Sequence, residues 1–118
     1  MNFRNDQPIW QQICDHMVQA IATGRWNEDG RIPSVRDLAG QLEVNPNTVM
    51  RAYERLTADA LIYNRRGIGY FVAPDARTEA RRRLHAAFYD ELFRRMDELS
   101  IDLADIEREY RNRKTAKQ

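Results

Sequence analysis

Cysteine is nearly missing from this chain. Cys14 is the sole one among 118 residues, so no intrachain disulfide can form. It sits among apolar neighbours in a helical pattern, which suits a buried, inert thiol better than a redox-sensing one. Histidine is almost as scarce: His16 and His85 are the only two, and neither stands in a metal-binding pattern. Asp and Glu fall mostly in helix-surface patterns, so the residues supply no nucleophile, metal site or cofactor site, and no enzyme is expected. Long apolar runs are absent too. None approaches the roughly 20 residues of a membrane span, and the opening Met-Asn-Phe-Arg-Asn-Asp-Gln-Pro lacks the apolar region of a signal peptide. The expected compartment is the cytosol, with no membrane association. Finally, neither sign of charge dominates. Lys and Arg total 19 against 18 Asp and Glu, a net +1, so bulk electrostatics do not announce a nucleic-acid partner.

What is present is concentrated at residues 33–56. Ser34 suits an N-cap, with Asp37 three residues on in a capping-box-like position. Val35, Leu38, Ala39 and Leu42 give the helix that follows its buried face. After a turn through Glu43 and Val44, Asn45 caps a second helix whose first position is Pro46, where a missing N–H costs nothing. Val49, Ala52, Tyr53 and Leu56 form its inward stripe, so Asn47, Thr48 and Arg51 face outward. Two short helices hinged in this way, the second opening on small amide and hydroxyl groups, suit a helix end placed in a DNA major groove.

The flanking segments fill in the layout. Pro8 can start an earlier helix, with Ile9, Trp10, Ile13, Cys14, Met17, Val18 and Ile21 on one face and Gly24 as its stop. Leu61–Tyr63 and Tyr70–Val72 read as two strands around the basic, Gly-punctuated tip Asn64-Arg65-Arg66-Gly67-Ile68-Gly69. Pro74 marks a boundary. Beyond it Leu84, Phe88, Leu92, Met96 and Leu99 recur at helical spacing, and Leu103, Ile106 and Tyr110 do so on a shorter helix that gives way to a polar tail. Ser100, Ile101 and Asp102 form the turn between them, with Asp102 as a cap. The fold class is mainly α with a small β-hairpin: a winged helix-turn-helix over residues 1–73, then a two-helix C-terminal dimerisation extension with a basic tail over 74–118. The remaining 45 residues are too few for a separate ligand-binding domain of ordinary size.

Charge is informative locally. From Arg31 to Val72 six arginines (31, 36, 51, 55, 65, 66) face four acids. From Arg108 to Lys117 five bases accompany the single acid Glu109. The second group reads most simply as a solvated helix end, with accessory phosphate contact as the alternative.

In order, the motifs are Gln7-Pro8-Ile9, Ile32-Pro33-Ser34-Val35-Arg36-Asp37-Leu38-Ala39, Val44-Asn45-Pro46-Asn47-Thr48-Val49 with Arg51-Ala52-Tyr53, Leu61-Ile62, and Arg65-Arg66-Gly67-Ile68-Gly69-Tyr70-Phe71-Val72. Their order and spacing over about residues 7–73 resemble the GntR family of bacterial transcription regulators, specifically its short YtrA-like branch. The two C-terminal helices look like the arrangement of that branch, in which helices of two subunits pair. The resemblance implies a DNA-reaching arginine at Arg36, a recognition-helix N-terminus made of Asn45, Asn47 and Thr48, and a wing tip of Arg65, Arg66 and Gly67 approaching the minor groove. Pro46 and Met50 stand where larger relatives often carry basic residues, so base reading shifts to Asn45, Asn47, Thr48 and Arg51. Glu43 and Ala60 stand where the family usually has Gly, in turns that favour positive φ, a cost of about 1 kcal/mol each.

The partners expected are double-stranded DNA and a second copy of the chain. The stripe Leu84, Phe88, Leu92, Met96, Leu99, Leu103, Ile106 and Tyr110 is too long for one short hairpin to bury, and a homodimer would cover it. A small-molecule effector and control of transporter genes are implied by the branch alone, since the residues show no ligand chemistry. The competing reading is a winged-helix protein-interaction module that binds an acidic protein. The Asn/Thr cluster speaks against it, because protein hot spots favour Trp, Tyr and apolar anchors. Bland readings also stand beside the site residues: Arg36 pairing with Asp37, Arg51 solvated near Glu54, and Arg65 and Arg66 as edge-strand gatekeepers.

Overall fold

The structure, a computed structural model, describes residues 2–116. Its elements are α1 (Ile9–Ala22), α2 (Val35–Leu42), α3 (Pro46–Ala58), β1 (Ile62–Arg65), β2 (Gly69–Val72), α4 (Ala76–Leu99) and α5 (Leu103–Ala116). The fold is mainly helical with one antiparallel hairpin, an N-terminal helix-turn-helix and a C-terminal two-helix extension, as the residue patterns predict.

Helix α1 follows Pro8, which acts as its N-cap and lies just outside the first turn. Ile13, Cys14, Met17, Val18 and Ile21 are buried as the periodicity requires. Ile9 is a correction. It is exposed and Trp10 only half-buried, because the first turn projects past the edge of the core. Gly24, at φ +80°, turns the chain out of the helix. The Cys14 thiol is buried and pushed up to about 11, first by burial and then by the neighbouring Asp15 carboxylate, so thiolate is suppressed.

Caps set the boundaries of the next two helices. Ser34 Oγ accepts from the Asp37 N–H at 3.0 Å, and Asn45 Oδ1 accepts from the Asn47 N–H at 2.8 Å. The ends of α2, α3 and α4 share one design. Glu43, Ala60 and Ser100 adopt φ of 56°, 61° and 55°. The residue after each, Val44, Leu61 or Ile101, donates its N–H to Ala39, Leu56 or Met96 respectively. Each of these is a Schellman ending closed by an apolar pair. At the start of α5, Asp102 and Asp105 form a reciprocal capping box, each side chain accepting from the other's backbone N–H, at 2.8 and 3.1 Å.

The strands pair Ile62 with Val72 through Arg65 with Gly69, reaching further toward the tip than Leu61–Tyr63 and Tyr70–Val72. A tight turn makes this extension feasible: the Ile68 N–H reaches the Arg65 carbonyl at 2.8 Å, and Gly67 takes φ +80°. Helix α5 is also longer than expected. The segment after Tyr110 stays helical to Ala116, supported by the i,i+4 pairs Glu107–Arg111 and Glu109–Arg113 at 2.7 Å each.

The chain divides into two compact units, Met1–Leu84 and His85–Gln118. The core of the first joins Ile13, Met17 and Ile21 to Leu38, Val49, Tyr53 and Leu56, and to Leu61, Ile62 and Val72 around the hairpin. Ala76 and Ala80 on α4 are buried in it. In the second unit Leu92, Met96 and Ile106 are half-buried, while Phe88, Leu99, Leu103 and Tyr110 stand exposed. Tyr89 and Phe93, outside the expected stripe, are exposed as well and stack on each other at 5.9 Å. No helix among the described residues is long and apolar enough to cross a membrane.

Candidate nucleic-acid interface

Tyr53 organises the first unit. Its ring is fully buried, and its hydroxyl donates to the Pro33 carbonyl, just ahead of α2, at 2.5 Å. The same ring meets Tyr70 of β2 edge-on at 4.9 Å and 82°. One residue of α3 thus ties its own helix to the approach to α2 and to the hairpin. The hairpin is braced again on its other strand, where Tyr63 stacks on Phe71 at 5.7 Å and donates to Asp29 at 3.2 Å.

Around this frame the expected residues are placed as follows. Arg36 on α2, Asn45 at the start of α3, and Asn47 and Arg51 on its outer side are exposed. Thr48 is half-buried, so it faces outward less fully than Asn47, the helical geometry turning it toward the side of the core. Arg65, Arg66 and Gly67 occupy the exposed hairpin tip. Asn45 already uses Oδ1 as a cap, which leaves its amide N–H groups for another partner.

Ion pairing differs between the two halves of the chain. Most arginines of α4 and α5, namely Arg82, Arg83, Arg94, Arg95, Arg108, Arg111 and Arg113, pair with a carboxylate. Among the described residues, Arg31, Arg36, Arg51, Arg65 and Arg66 make no salt bridge. The helix-turn-helix and its wing therefore keep positive charge of a kind that the later helices largely neutralise internally. Arg36 does not pair with Asp37, nor Arg51 with Glu54. The Arg51 guanidinium lies over the Trp10 ring instead, 4.4 Å from its centroid, and that of Arg65 over Phe71 at 5.5 Å. In the basic tail, Arg108, Arg111 and Arg113 are paired, and Lys117 lies outside the described residues.

Arg31, which the sequence marks only as one more positive charge, has a defined place in the fold. A Cβ on Gly69 (φ +148°) would come within 3.0 Å of Arg31 Nε, so this arginine lies along the wing. An isolated bridge between Arg31 and Phe71 holds it there. The signal for it was Gly69, a residue without a side chain where another group must approach. Of the two histidines, His16 sits beside Arg25, and burial followed by that charge lowers its basicity. Among the described residues no cluster of His, Cys, Asp and Glu could hold a metal ion.

The family model for bacterial regulatory proteins, gntR family, matches residues 9–72. The chain is similar to the HTH-type transcriptional repressor YtrA of Bacillus subtilis (strain 168). The two are 36% identical over 75 residues, which cover 64% of this chain and 58% of that one. The chain thus spans less than two thirds of the length of this and other curated relatives it matches. A GntR family transcriptional regulator from Listeria monocytogenes superposes with a TM-score of 0.83 at 29% identity, covering 93% of this chain and 98% of that one. AraR(DBD), solved in complex with operator ORR3, superposes with a TM-score of 0.56 at 27% identity, covering 62% and 88%. The likeness to the Listeria regulator thus runs over nearly the whole chain, whereas that to AraR(DBD) covers only part of it. The chain belongs to the gntR family of bacterial regulatory proteins.

Proposed function

We propose that this protein is a sequence-specific repressor that binds a palindromic operator as a homodimer in the cytoplasm. The observation that carries the reading is the segregation of charge: among the described residues Arg31, Arg36, Arg51, Arg65 and Arg66 lack carboxylate partners, whereas most arginines of α4 and α5 have them. Cations left without acids around an amide-rich helix start suit phosphate and base edges together. The operator complex of AraR(DBD), a protein of the same fold, supports this use of the surface.

Residues 1–73 are assigned to DNA reading, with Ala76 and Ala80 completing their core, and the rest of 74–118 to pairing of subunits. Asn45, Asn47, Thr48 and Arg51 discriminate among bases. Arg36, Arg65 and Arg66 hold phosphate, with Gly67 letting the wing tip approach the minor groove closely. Leu84, Phe88, Leu92, Met96, Leu99, Leu103, Ile106 and Tyr110 form the dimer contact, to which the exposed Tyr89 and Phe93 are added. Phe88, Leu103 and Tyr110 are 61%, 74% and 62% exposed, more large apolar surface than a monomer ordinarily leaves to water. Two-fold pairing then presents two recognition helices to two half-sites. A small-molecule effector acting on this pairing, and control of transporter genes, complete the proposal.

The test is selection of duplexes from a randomised pool by the full chain, followed by binding and sedimentation measurements. Asn47→Ala should lower the preference for the selected duplex. Arg66→Ala should weaken binding to all duplexes and reduce the salt slope by about 0.9 for each phosphate it ceases to neutralise. Phe88→Asp should yield monomers. Failure to retain any duplex, with capture of an acidic protein instead, would establish the interaction-module reading in its place.

A further inference from the structure

The contact between Arg51 and Trp10 joins the outer side of the recognition helix to the first turn of α1, forty-one positions earlier in the chain. Trp10 is itself well anchored. It is half-buried and packs against the core. The segment leading into its helix is pinned by the buried Gln12, whose amide donates to the carbonyls of Arg4 and Gln7 and whose oxygen accepts from the Arg4 N–H, at 2.8 Å each. The platform under Arg51 is therefore fixed to the fold.

Arg51 spends nothing on this contact that base reading needs. Among the described residues its guanidinium makes no hydrogen bond and no ion pair, so its five N–H donors stay available. A carboxylate neighbour would have taken two of them in a fork. An aromatic face restrains the same group through its π surface and leaves the donors unspent. Arg51 also lies one helical turn beyond Asn47 on the outer side of α3, so the two side chains are neighbours along the groove-facing surface.

We propose that Trp10 is a positioning residue for base recognition: its indole face holds the Arg51 guanidinium in one orientation beside Asn47. This rests on the reading that the outer side of α3 meets base edges. A long, rotamer-rich side chain held in place beforehand loses less freedom on binding, so the platform raises discrimination without touching a base itself.

The experiment compares the full chain with Trp10→Leu, Trp10→Phe, Arg51→Ala and the double variant Trp10→Leu/Arg51→Ala. Each is titrated against the duplex that the wild type selects from a randomised pool and against a scrambled duplex, at several salt concentrations. Leucine keeps an apolar group over the core and removes the ring, and the thermal midpoint verifies that each variant is folded. Arg51→Ala should lower the ratio of selected to scrambled affinity at least about fivefold. Trp10→Leu should lower it about two- to fivefold with the salt slope unchanged, Trp10→Phe should restore most of it, and the double variant should be no worse than Arg51→Ala. If Arg51→Ala leaves the ratio intact, the underlying reading of α3 fails and this inference with it. If Arg51→Ala lowers the ratio but Trp10→Leu does not, or the two effects add, the positioning role alone is overturned.

Discussion

Arg83 on α4 reaches back to Asp59, the residue that closes α3, at 3.0 Å. A carboxylate at a helix C-terminus opposes the helix dipole, and Asp59 tolerates the position because Arg83 and Arg55 both approach it. The pair is partly shielded, with Asp59 19% exposed and Arg83 34%. Arg83→Met should therefore destabilise the protein by about 1 kcal/mol, a charged hydrogen bond discounted for solvent screening. Urea unfolding of the two proteins measures the difference.

The same arginine makes a second contact that gives a pH signature. Hydrogen bonds from Arg82 and then Arg83 hold the Glu79 carboxyl down at about 2, against an ordinary 4.5. A carboxylate whose folded value is depressed contributes stability above its unfolded value and loses it as pH falls toward the folded one. The difference in melting temperature between the wild type and Glu79→Gln should be constant near neutrality. It should shrink below pH 4.5 and be gone near pH 2. Added salt should reduce it throughout, because Glu79 is partly exposed to solvent.

Tyr53 offers a test of how the helix-turn-helix is held to its wing. Tyr53→Phe keeps the ring against Tyr70 but leaves the Pro33 carbonyl without its donor. The expected loss is about 1 kcal/mol in chemical denaturation, the cost of orphaning a partly buried acceptor. Burial, and then Tyr70, also raises the Tyr53 phenol, so its ionisation at alkaline pH should accompany unfolding.

Glu43 and Ala60 sit in left-handed conformations at the ends of α2 and α3. Glycine removes the Cβ penalty there while adding freedom to the unfolded chain. Glu43→Gly and Ala60→Gly should each raise stability by about 0.5–1 kcal/mol. Thermal unfolding checks this, and because the residues lie far apart in different turns the two gains should add.

Asn45 separates a structural role from a reading role. Asn45→Ser preserves a cap on the Asn47 N–H, whereas Asn45→Ala removes it and should cost about 1 kcal/mol. Both substitutions delete the side-chain amide, so under the proposed function both should lower operator preference equally. Comparing unfolding with DNA titration distinguishes the two.

Much of this architecture was readable from neighbours in the chain. The caps at Ser34, Asn45 and Asp102, the positive φ of Glu43 and Ala60, and the buried stripe of α3 all depend on groups within a turn or two of each other. The motifs that carried the family resemblance, over about residues 7–73, nearly coincide with the stretch that the family model matches, 9–72. Short-range signals were less decisive where two tendencies compete. The polar residues after Tyr110 read as a tail, yet i,i+4 ion pairs keep them helical. Thr48 read as outward, and its half-burial depends on what packs beside α3.

Residue order alone settled where most of the helices begin and most of what each buries, because capping groups, periodicity and turn residues act on backbone only a few positions away. Folding in three dimensions decided which distant charges meet a partner. Arg83 finds Asp59 and Arg51 finds Trp10 across 24 and 41 positions, respectively, and no local pattern encodes those meetings. A pair of groups far apart in the chain interacts only once the intervening helices have packed, and that packing left Arg31, Arg36, Arg51, Arg65 and Arg66 without acids among the described residues, while Arg55 on α3 and most arginines of α4 and α5 are paired.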